Sequence, residues 1–229
     1  MPSSLTTSLT AHSLGHSKKL SDLLKTNRGK KSGNSLITLY FSETLKFGST
    51  TLTTTRMNIF FLSLIPVEIA ERSCDQHVVK IQLEICQMLY TAWYFSNEEY
   101  IIRECAPFRK DGKVRGYKPA HTKHPMTMWI GSSLENYLYA CKIGIALTLE
   151  YTHRYGKIHT CAHHLIWLYE NRPSNFEERR SETAYYSQEG IPECMPEEYR
   201  RPSIVDAYQL YYMMDKMSFA RYKILEPSK

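Results

Sequence analysis

The sequence has no long hydrophobic segment and no closely spaced cysteine pair. No apolar run reaches the roughly 18 residues that a membrane helix needs, and the apolar segment at residues 59–66 is much shorter. The six cysteines include no C-x-x-C pair. Such spacing is typical of reduced thiols in an intracellular protein and not of a disulfide framework. We therefore expect no membrane partner and an intracellular location, in the cytoplasm or the nucleus.

Several signatures of well-known enzyme classes are also missing. The chain has no glycine-rich phosphate loop of the Walker or Rossmann type, no nucleophile-elbow serine and no H-E-x-x-H zinc motif. Nothing in the sequence therefore assigns it to the P-loop, dinucleotide-binding, α/β-hydrolase or zinc-protease classes. Internal repeats and alternating β patterns are absent as well.

Acidic residues are scarce in the first 56 positions. This segment has eight Lys or Arg and two Asp or Glu, so it carries the whole net charge of +6, and residues 57–229 have 21 of each sign. It also has 21 Ser or Thr and few aromatic residues, too little apolar surface to offset the entropy cost of folding. We expect residues 1–56 to be a disordered basic tail. It is a natural tail, a targeting segment, or a stretch upstream of a true start at Met57.

Residues 57–229 show a helical pattern, and we predict a mainly α fold: a single compact multi-helix domain with long surface loops. The length suffices for one domain with a hydrophobic core. Residues 59–64 are predicted to be a short strand or a buried extended segment, and residues 172–202 a surface connection. The predicted helices span residues 66–73, 75–95, 97–104, 126–130, 133–155, 158–170 and 203–225.

The helix predicted to end near Phe95 has the strongest pattern in the chain. Its apolar face comprises Val78, Ile81, Ile85, Met88, Leu89 and Ala92, and its narrow polar stripe comprises His77, Lys80, Glu84, Gln87 and Thr91. A helix that is apolar nearly all round is usually buried, so the stripe faces either a ribbon of solvent or a site. Two interpretations stay open. One is a simple Lys80–Glu84 ion pair, and the other is Glu84 as a general acid/base with His77 and Lys80 beside it.

The only dense basic segment in the neutral domain is a predicted loop at residues 107–123. Two glycines and several cations suit the binding of a phosphate chain, and the alternative is an ordinary solvated loop. The candidate DNA or phosphate contacts are Arg109, Lys110, Lys113, Arg115, Lys118 and Lys123.

Cysteine and histidine spacing also permits a zinc site. The candidate ligands are Cys74 and His77, three residues apart on one helix face, together with His121 and His124. Four such ligands complete a tetrahedral zinc set if the helix and the basic loop meet. Cys161, His163 and His164 form a looser cluster that we interpret as chance.

Blocks of the sequence from Met57 onward resemble a family of small proteins encoded by tailed phages and large DNA viruses. This family has no established activity, and the resemblance spans nearly all of residues 57–229. The matching blocks read MNIFFL at 57–62, CDQHVVK at 74–80, HTKHPMTMW at 121–129, EYTHRYGKIH at 150–159, MPEEY at 195–199 and AYQLYY at 207–212.

The same blocks are more remotely similar to the phage pyrimidine-dimer DNA glycosylase/AP lyases. In those enzymes an Asp-Gln-His motif precedes the catalytic glutamate, which follows the histidine by seven residues, and this spacing corresponds to Glu84 here. The resemblance implies a mostly α fold and DNA as the partner. It also implies a Schiff base between an N-terminal α-amine and the sugar C1′, with the glutamate moving protons.

The chain departs from those enzymes at several positions. Leu83 and Gln87 stand where the enzymes have arginine, and Asn58 stands where they have threonine. In the 229-residue chain the α-amine belongs to Met1, and methionine is seldom removed before a residue as bulky as asparagine, so a chain that starts at Met57 would keep its amine there.

The function that the sequence favours is that of a viral-type DNA-acting protein. We expect a repair glycosylase/AP lyase for pyrimidine dimers or other damaged bases, with no cofactor. Two other functions stay open: a non-catalytic zinc-stabilised viral binding module, and an enzyme of nucleotide metabolism.

Overall fold

A computed structural model of the chain describes residues 58–178 and 190–223. Within those ranges it has seven α-helices and no β-strand, so the predicted mainly α fold is confirmed. The predicted tail lies outside the described residues, and so does the end of the last predicted helix. No helix in the described part of the chain is long and apolar enough to cross a membrane.

The helices follow one another along the chain with two short 3₁₀ turns and one π turn between or after them. The helices are α1 (Pro66–Arg72), α2 (Asp75–Phe95), α3 (Glu99–Cys105), α4 (Pro125–Ile130), α5 (Leu134–Tyr155), α6 (Ala162–Glu170) and α7 (Ile204–Tyr211). The 3₁₀ turns are Ser174–Glu178 and Glu197–Tyr199, and the π turn is Tyr212–Lys216.

The two longest helices, α2 and α5, pack against each other at the centre of the described domain. The six residues of the predicted apolar face of α2 are all buried, as the periodicity requires. A polar contact also crosses this interface, because the hydroxyl of Thr148 donates to the side-chain carbonyl of Gln82 at 2.9 Å. At Gly144 the helices come close enough that an added Cβ would lie 3.2 Å from Ile85 on α2 and 2.5 Å from Leu165 on α6.

The apolar segment before α1 is buried in extended form and belongs to no sheet. Phe61 is fully buried, with its ring 5.8 Å from that of Trp129 and 5.6 Å from that of Tyr208. Of the two predictions for this segment, the buried extended chain is therefore correct. Its position brings the beginning of the described domain against α2, which matters for the site.

Arg154 joins the ends of three helices from a buried position near the end of α5. Its guanidinium donates to Glu150 at 2.6 Å and to Asp75 at 3.0 Å, and to the carbonyl oxygens of Ala70 and Glu71 at the end of α1. A buried cation is stabilising only when its donors are satisfied, and these contacts satisfy them. The Glu150–Arg154 pair is thus part of the framework and not of a surface.

Three predictions about these elements are wrong: two helix boundaries and the exposure of one connection. The helix predicted from residue 158 begins at Ala162, because the Cys161 amide donates to the His159 ring at 3.1 Å and holds a turn there. The helix predicted at 203–225 ends as an α-helix at Tyr211 and continues as a π turn to Lys216. The connection predicted to lie on the surface at 172–202 buries Phe176, Ile191 and Met195, since apolar side chains anchor it to the core.

Candidate functional site

Helix α2 presents His77, Lys80 and Glu84 on successive turns of one face. The Lys80 ammonium lies 3.1 Å from Oε1 of Glu84, so the ion pair that the sequence suggested is present. The two partners differ in exposure, because Glu84 is only 8% exposed while the Lys80 side chain is about half exposed. Glu84 is therefore a nearly buried carboxylate that is paired with one half-exposed lysine.

The second oxygen of Glu84 contacts the beginning of the described domain. The backbone N–H of Asn58 donates to Oε2 of Glu84 at 3.2 Å. The Asn58 side chain is held in turn, because its Nδ2 donates to the Cys194 carbonyl at 2.8 Å and its Oδ1 accepts from the Tyr208 hydroxyl at 3.2 Å. The segment after Met57 is thus fixed against the predicted catalytic carboxylate by contacts from two distant parts of the chain.

His77 is enclosed by aromatic rings and is 8% exposed. Its ring stacks on Phe60 with centroids 4.6 Å apart and planes at 10°, and Phe219 meets it edge-on at 5.8 Å. Burial first, and then the charges of Lys216 and Lys80, lower the pKa of His77 to about 4. The imidazole is therefore neutral at neutral pH.

Tyr212 joins this neutral ring to the beginning of α2. Its hydroxyl accepts from the Cys74 amide at 2.7 Å and lies 2.8 Å from Nδ1 of His77. A hydroxyl oxygen can accept two hydrogen bonds and donate one, so this contact fits a ring proton on either nitrogen of His77.

Lys216 lies near this site, and the sequence analysis missed it. It is 9% exposed, and its ammonium lies 4.6 Å from the ring centre of Tyr211 and 6.0 Å from that of Phe60. A signal was available, because Lys216 follows the buried Tyr208 and Tyr212 at four-residue spacing and so shares their face. The contacts of Asn58 and Tyr212 had no local signal at all.

The basic loop is folded back on itself. Phe108 and Arg115 form an antiparallel bridge, and the amide of Arg109 donates to the Val114 carbonyl at 2.8 Å. Arg115 donates to the Ala106 carbonyl at 2.6 Å and stacks on the Phe108 ring at 3.9 Å, so it stabilises the loop. Nε of Arg109 is buried without a hydrogen-bond partner in the described part of the chain.

Four of the predicted phosphate contacts are lysines of this loop, and all four are exposed. They are Lys110, Lys113, Lys118 and Lys123. The loop meets α2 at Thr91, whose hydroxyl accepts from the Ala120 amide at 3.0 Å. Thr91 follows Glu84 by seven residues and so lies on the same helix face about 10 Å away. The polar stripe and the basic loop therefore meet at the Thr91 end of the stripe, and not at His77, where the predicted zinc set required it.

The four candidate zinc ligands are not gathered in one place. Cys74 is buried beside Tyr212, Nδ1 of His124 accepts from the Met126 amide at 3.2 Å, and His121 is exposed with a φ of 51°. Across residues 58–178 and 190–223, no three or more His, Cys, Asp or Glu side chains are placed to hold a metal ion. The zinc hypothesis gains no support from this geometry.

The residues around Cys161 make more contacts in the structure than their sequence spacing suggested. The Cys161 thiol lies 3.8 Å from the Tyr117 hydroxyl, and the Cys86 thiol donates to the Cys161 carbonyl at 3.9 Å. His164 is buried and lies 2.8 Å from the Tyr90 hydroxyl, whereas His163 is exposed. These groups lie on the inner side of the basic loop and fix its position.

Comparisons of the chain with protein-family models, with curated proteins and with solved structures found no match. The function is therefore argued from the site itself: a nearly buried carboxylate, a backbone nitrogen and a lysine on its two oxygens, and a neutral histidine two turns earlier on the same helix face.

Proposed function

We propose that the protein is a DNA repair enzyme of the glycosylase/AP lyase type, with Glu84 as its general acid/base. The observation that carries the proposal is the 3.2 Å contact between the Asn58 backbone nitrogen and Glu84. Schiff-base chemistry requires an amine and a proton-transferring group within reach of one sugar carbon. The enzymes that the sequence resembles use an N-terminal amine for this, and the segment beginning at Met57 resembles their N-terminus.

The proposed chemistry uses Glu84 and the α-amine of a chain that begins at Met57. The neutral amine attacks C1′ of the damaged nucleotide, the bond from C1′ to the base breaks, and the departing base takes one proton of the amine. The bond from C1′ to the ring oxygen then breaks, that oxygen takes the second proton, and the opened sugar is held as an imine. Glu84 removes a proton from C2′, the bond between C3′ and its phosphate oxygen breaks, and water later hydrolyses the imine to return the amine.

The environment of Glu84 suits this role. Its 8% exposure excludes most solvent, and the Lys80 ammonium at 3.1 Å keeps a cation beside the carboxylate. The lysines of the basic loop are exposed, and the loop contacts the same helix at Thr91. Under the proposed function these lysines contact DNA phosphates. Because residues 57–229 are neutral overall, DNA binding by this domain depends on such a local patch.

The test is incision of defined DNA by the chain beginning at Met57. Its substrates are a duplex with one abasic site and an ultraviolet-irradiated duplex, with strand breaks read on a denaturing gel. Glu84→Gln keeps the shape of the side chain and removes its proton transfer, so we expect a rate loss of about 100-fold or more. The matched control is Glu104→Gln, an exposed position on α3, which we expect to leave the rate unchanged.

Two results would overturn the proposal. One is a folded protein, verified by its helical circular dichroism, that cuts neither substrate. The other is incision that survives in the Glu84→Gln variant at the rate of the control.

A further inference from the structure

The ammonium of Lys216 is a nearly buried charge without a counterion in the described part of the chain. No carboxylate of the described residues lies within ion-pair distance of it, and its neighbours are the faces of Tyr211 and Phe60. The nearest acid in sequence, Asp215, accepts a hydrogen bond from the Tyr199 hydroxyl at 2.7 Å. Burying a charge unpaired is costly, and aromatic faces offset only part of that cost.

Lys216 is the last residue of the π turn and points inward. Across Tyr212–Lys216 the first and last residues are buried, while Met213 and Met214 between them are exposed. Tyr212 and Lys216 are four residues apart and share one face, so the Tyr212 hydroxyl and the Lys216 charge both lie near one imidazole, that of His77. Single π turns are rare and are frequently found at functional sites.

His77 adds a second polar atom. Its ring contact to Tyr212 uses Nδ1, and among the described residues none hydrogen-bonds to Nε2. Of the two lysines near His77, Lys80 is neutralised by Glu84. The positive charge of Lys216 has no such partner among the described residues.

We propose that Lys216, together with His77 in the tautomer that carries its proton on Nε2, binds one phosphate group of the ligand on which Glu84 acts. A phosphate offers the negative charge that Lys216 lacks and an acceptor oxygen for that N–H. The inference deepens the proposed function, and under that function the phosphate belongs to the DNA backbone next to the damaged nucleotide. It would hold C1′ and C2′ of that nucleotide in register with Glu84, which makes Lys216 a positioning residue.

The first test measures binding of the full 229-residue protein to a duplex that contains a stable abasic-site analogue. Fluorescence anisotropy gives Kd from 50 to 300 mM KCl. For Lys216→Met we expect binding to weaken about 5- to 10-fold and the salt slope to fall by about one. Lys216→Arg keeps the charge and should stay within about twofold of the wild type. Lys157→Met removes an exposed lysine and should change neither quantity.

The second test follows the ring nitrogens of His77 by NMR in the wild-type protein, so it does not depend on any variant folding. We expect the Nε2 resonance to shift on addition of the duplex, and Lys216→Met to reduce that shift. Inorganic phosphate and a nucleoside monophosphate are added separately as probes of the source of the phosphate.

The outcomes separate this inference from the proposed function. Unchanged DNA affinity in Lys216→Met, or a His77 resonance that no phosphate compound moves, overturns the phosphate site even if incision at Glu84 is found. A resonance shift with phosphate or nucleotide alone, from a protein that does not bind DNA, supports the phosphate site and counts against the DNA repair function.

Discussion

His77 shows how burial and nearby charges set the protonation state of a side chain at this site. A neutral imidazole stacked on Phe60 and flanked by Lys80 and Lys216 is a weak base near neutral pH, because its pKa is low. The sequence predicted His77 as an orienting neighbour of Glu84. The two residues share a helix face but lie seven residues, about 10 Å, apart along it.

The low pKa of His77 predicts a loss of stability in mild acid. Burial and the two lysines lower this pKa from 6.5 to about 4, so between these values the unfolded chain binds the extra proton. The stabilisation from a neutral His77 is therefore complete above pH 6.5 and is lost as the pH falls toward 4, to a limit of about 3 kcal/mol. Urea unfolding at several pH values measures it.

The control for this prediction is His77→Phe, which retains an aromatic ring and cannot titrate. Its stability at pH 7 will be lower, since the Tyr212 hydroxyl loses its hydrogen bond with the ring of residue 77, but its further loss on acidification should be smaller than that of the wild type. Equal losses between pH 7 and pH 4.5 would show that His77 is not the group responsible.

Among the elements, the basic loop requires its backbone at Gly116 to lie very close to the side chains of Ile102 and Tyr90. Gly116 has a φ of +58°, and a Cβ there would overlap Cγ2 of Ile102 and come within 2.9 Å of the Tyr90 ring. Gly112, in the same loop, has a φ of +65° with nothing within 4 Å of its Cβ position. The two glycines share the same backbone constraint and differ only in their neighbours.

We expect Gly116→Ala to lower the free energy of unfolding by about 3 kcal/mol, the sum of left-handed backbone strain and an overpacked contact. Gly112→Ala has the strain alone and should cost about 1 kcal/mol. Thermal or urea unfolding compares the two variants. Equal losses would mean that Ile102 and Tyr90 do not hold the loop.

Sequence periodicity predicted some of the helices correctly and missed a change of helix type in another. It located α2 and α5, because each buries a long apolar face in a regular 3.6-residue repeat. It did not reveal the change from α-helix to π turn after Tyr211, because the buried residues keep a four-residue spacing through that change. They are Ile204, Tyr208, Tyr212 and Lys216.

At the scale of the whole molecule, the site is built from residues far apart in sequence. Glu84 and Lys80 share a helix and could be predicted together. The Asn58 contact with Glu84 and the Lys216 approach to His77 bridge more than 20 and more than 130 residues. No local pattern encodes them, since they follow from packing of the extended segment and the π turn onto α2. The Asn58 contact places the amide formed with Met57 at the carboxylate.

This geometry predicts that the reactive amine depends on where the chain begins. In the 229-residue chain the Asn58 nitrogen is an amide and cannot form a Schiff base. In a chain beginning at Met57, the α-amine lies one residue away, a span of at most about 3.6 Å. We expect that chain to form a covalent adduct with abasic DNA in the presence of borohydride, and the 229-residue chain to form none. Acetylation of the α-amine should abolish the adduct. Equal adducts from both chains would contradict this prediction and would direct the search for the nucleophile to Lys80, whose amine lies on the same carboxylate.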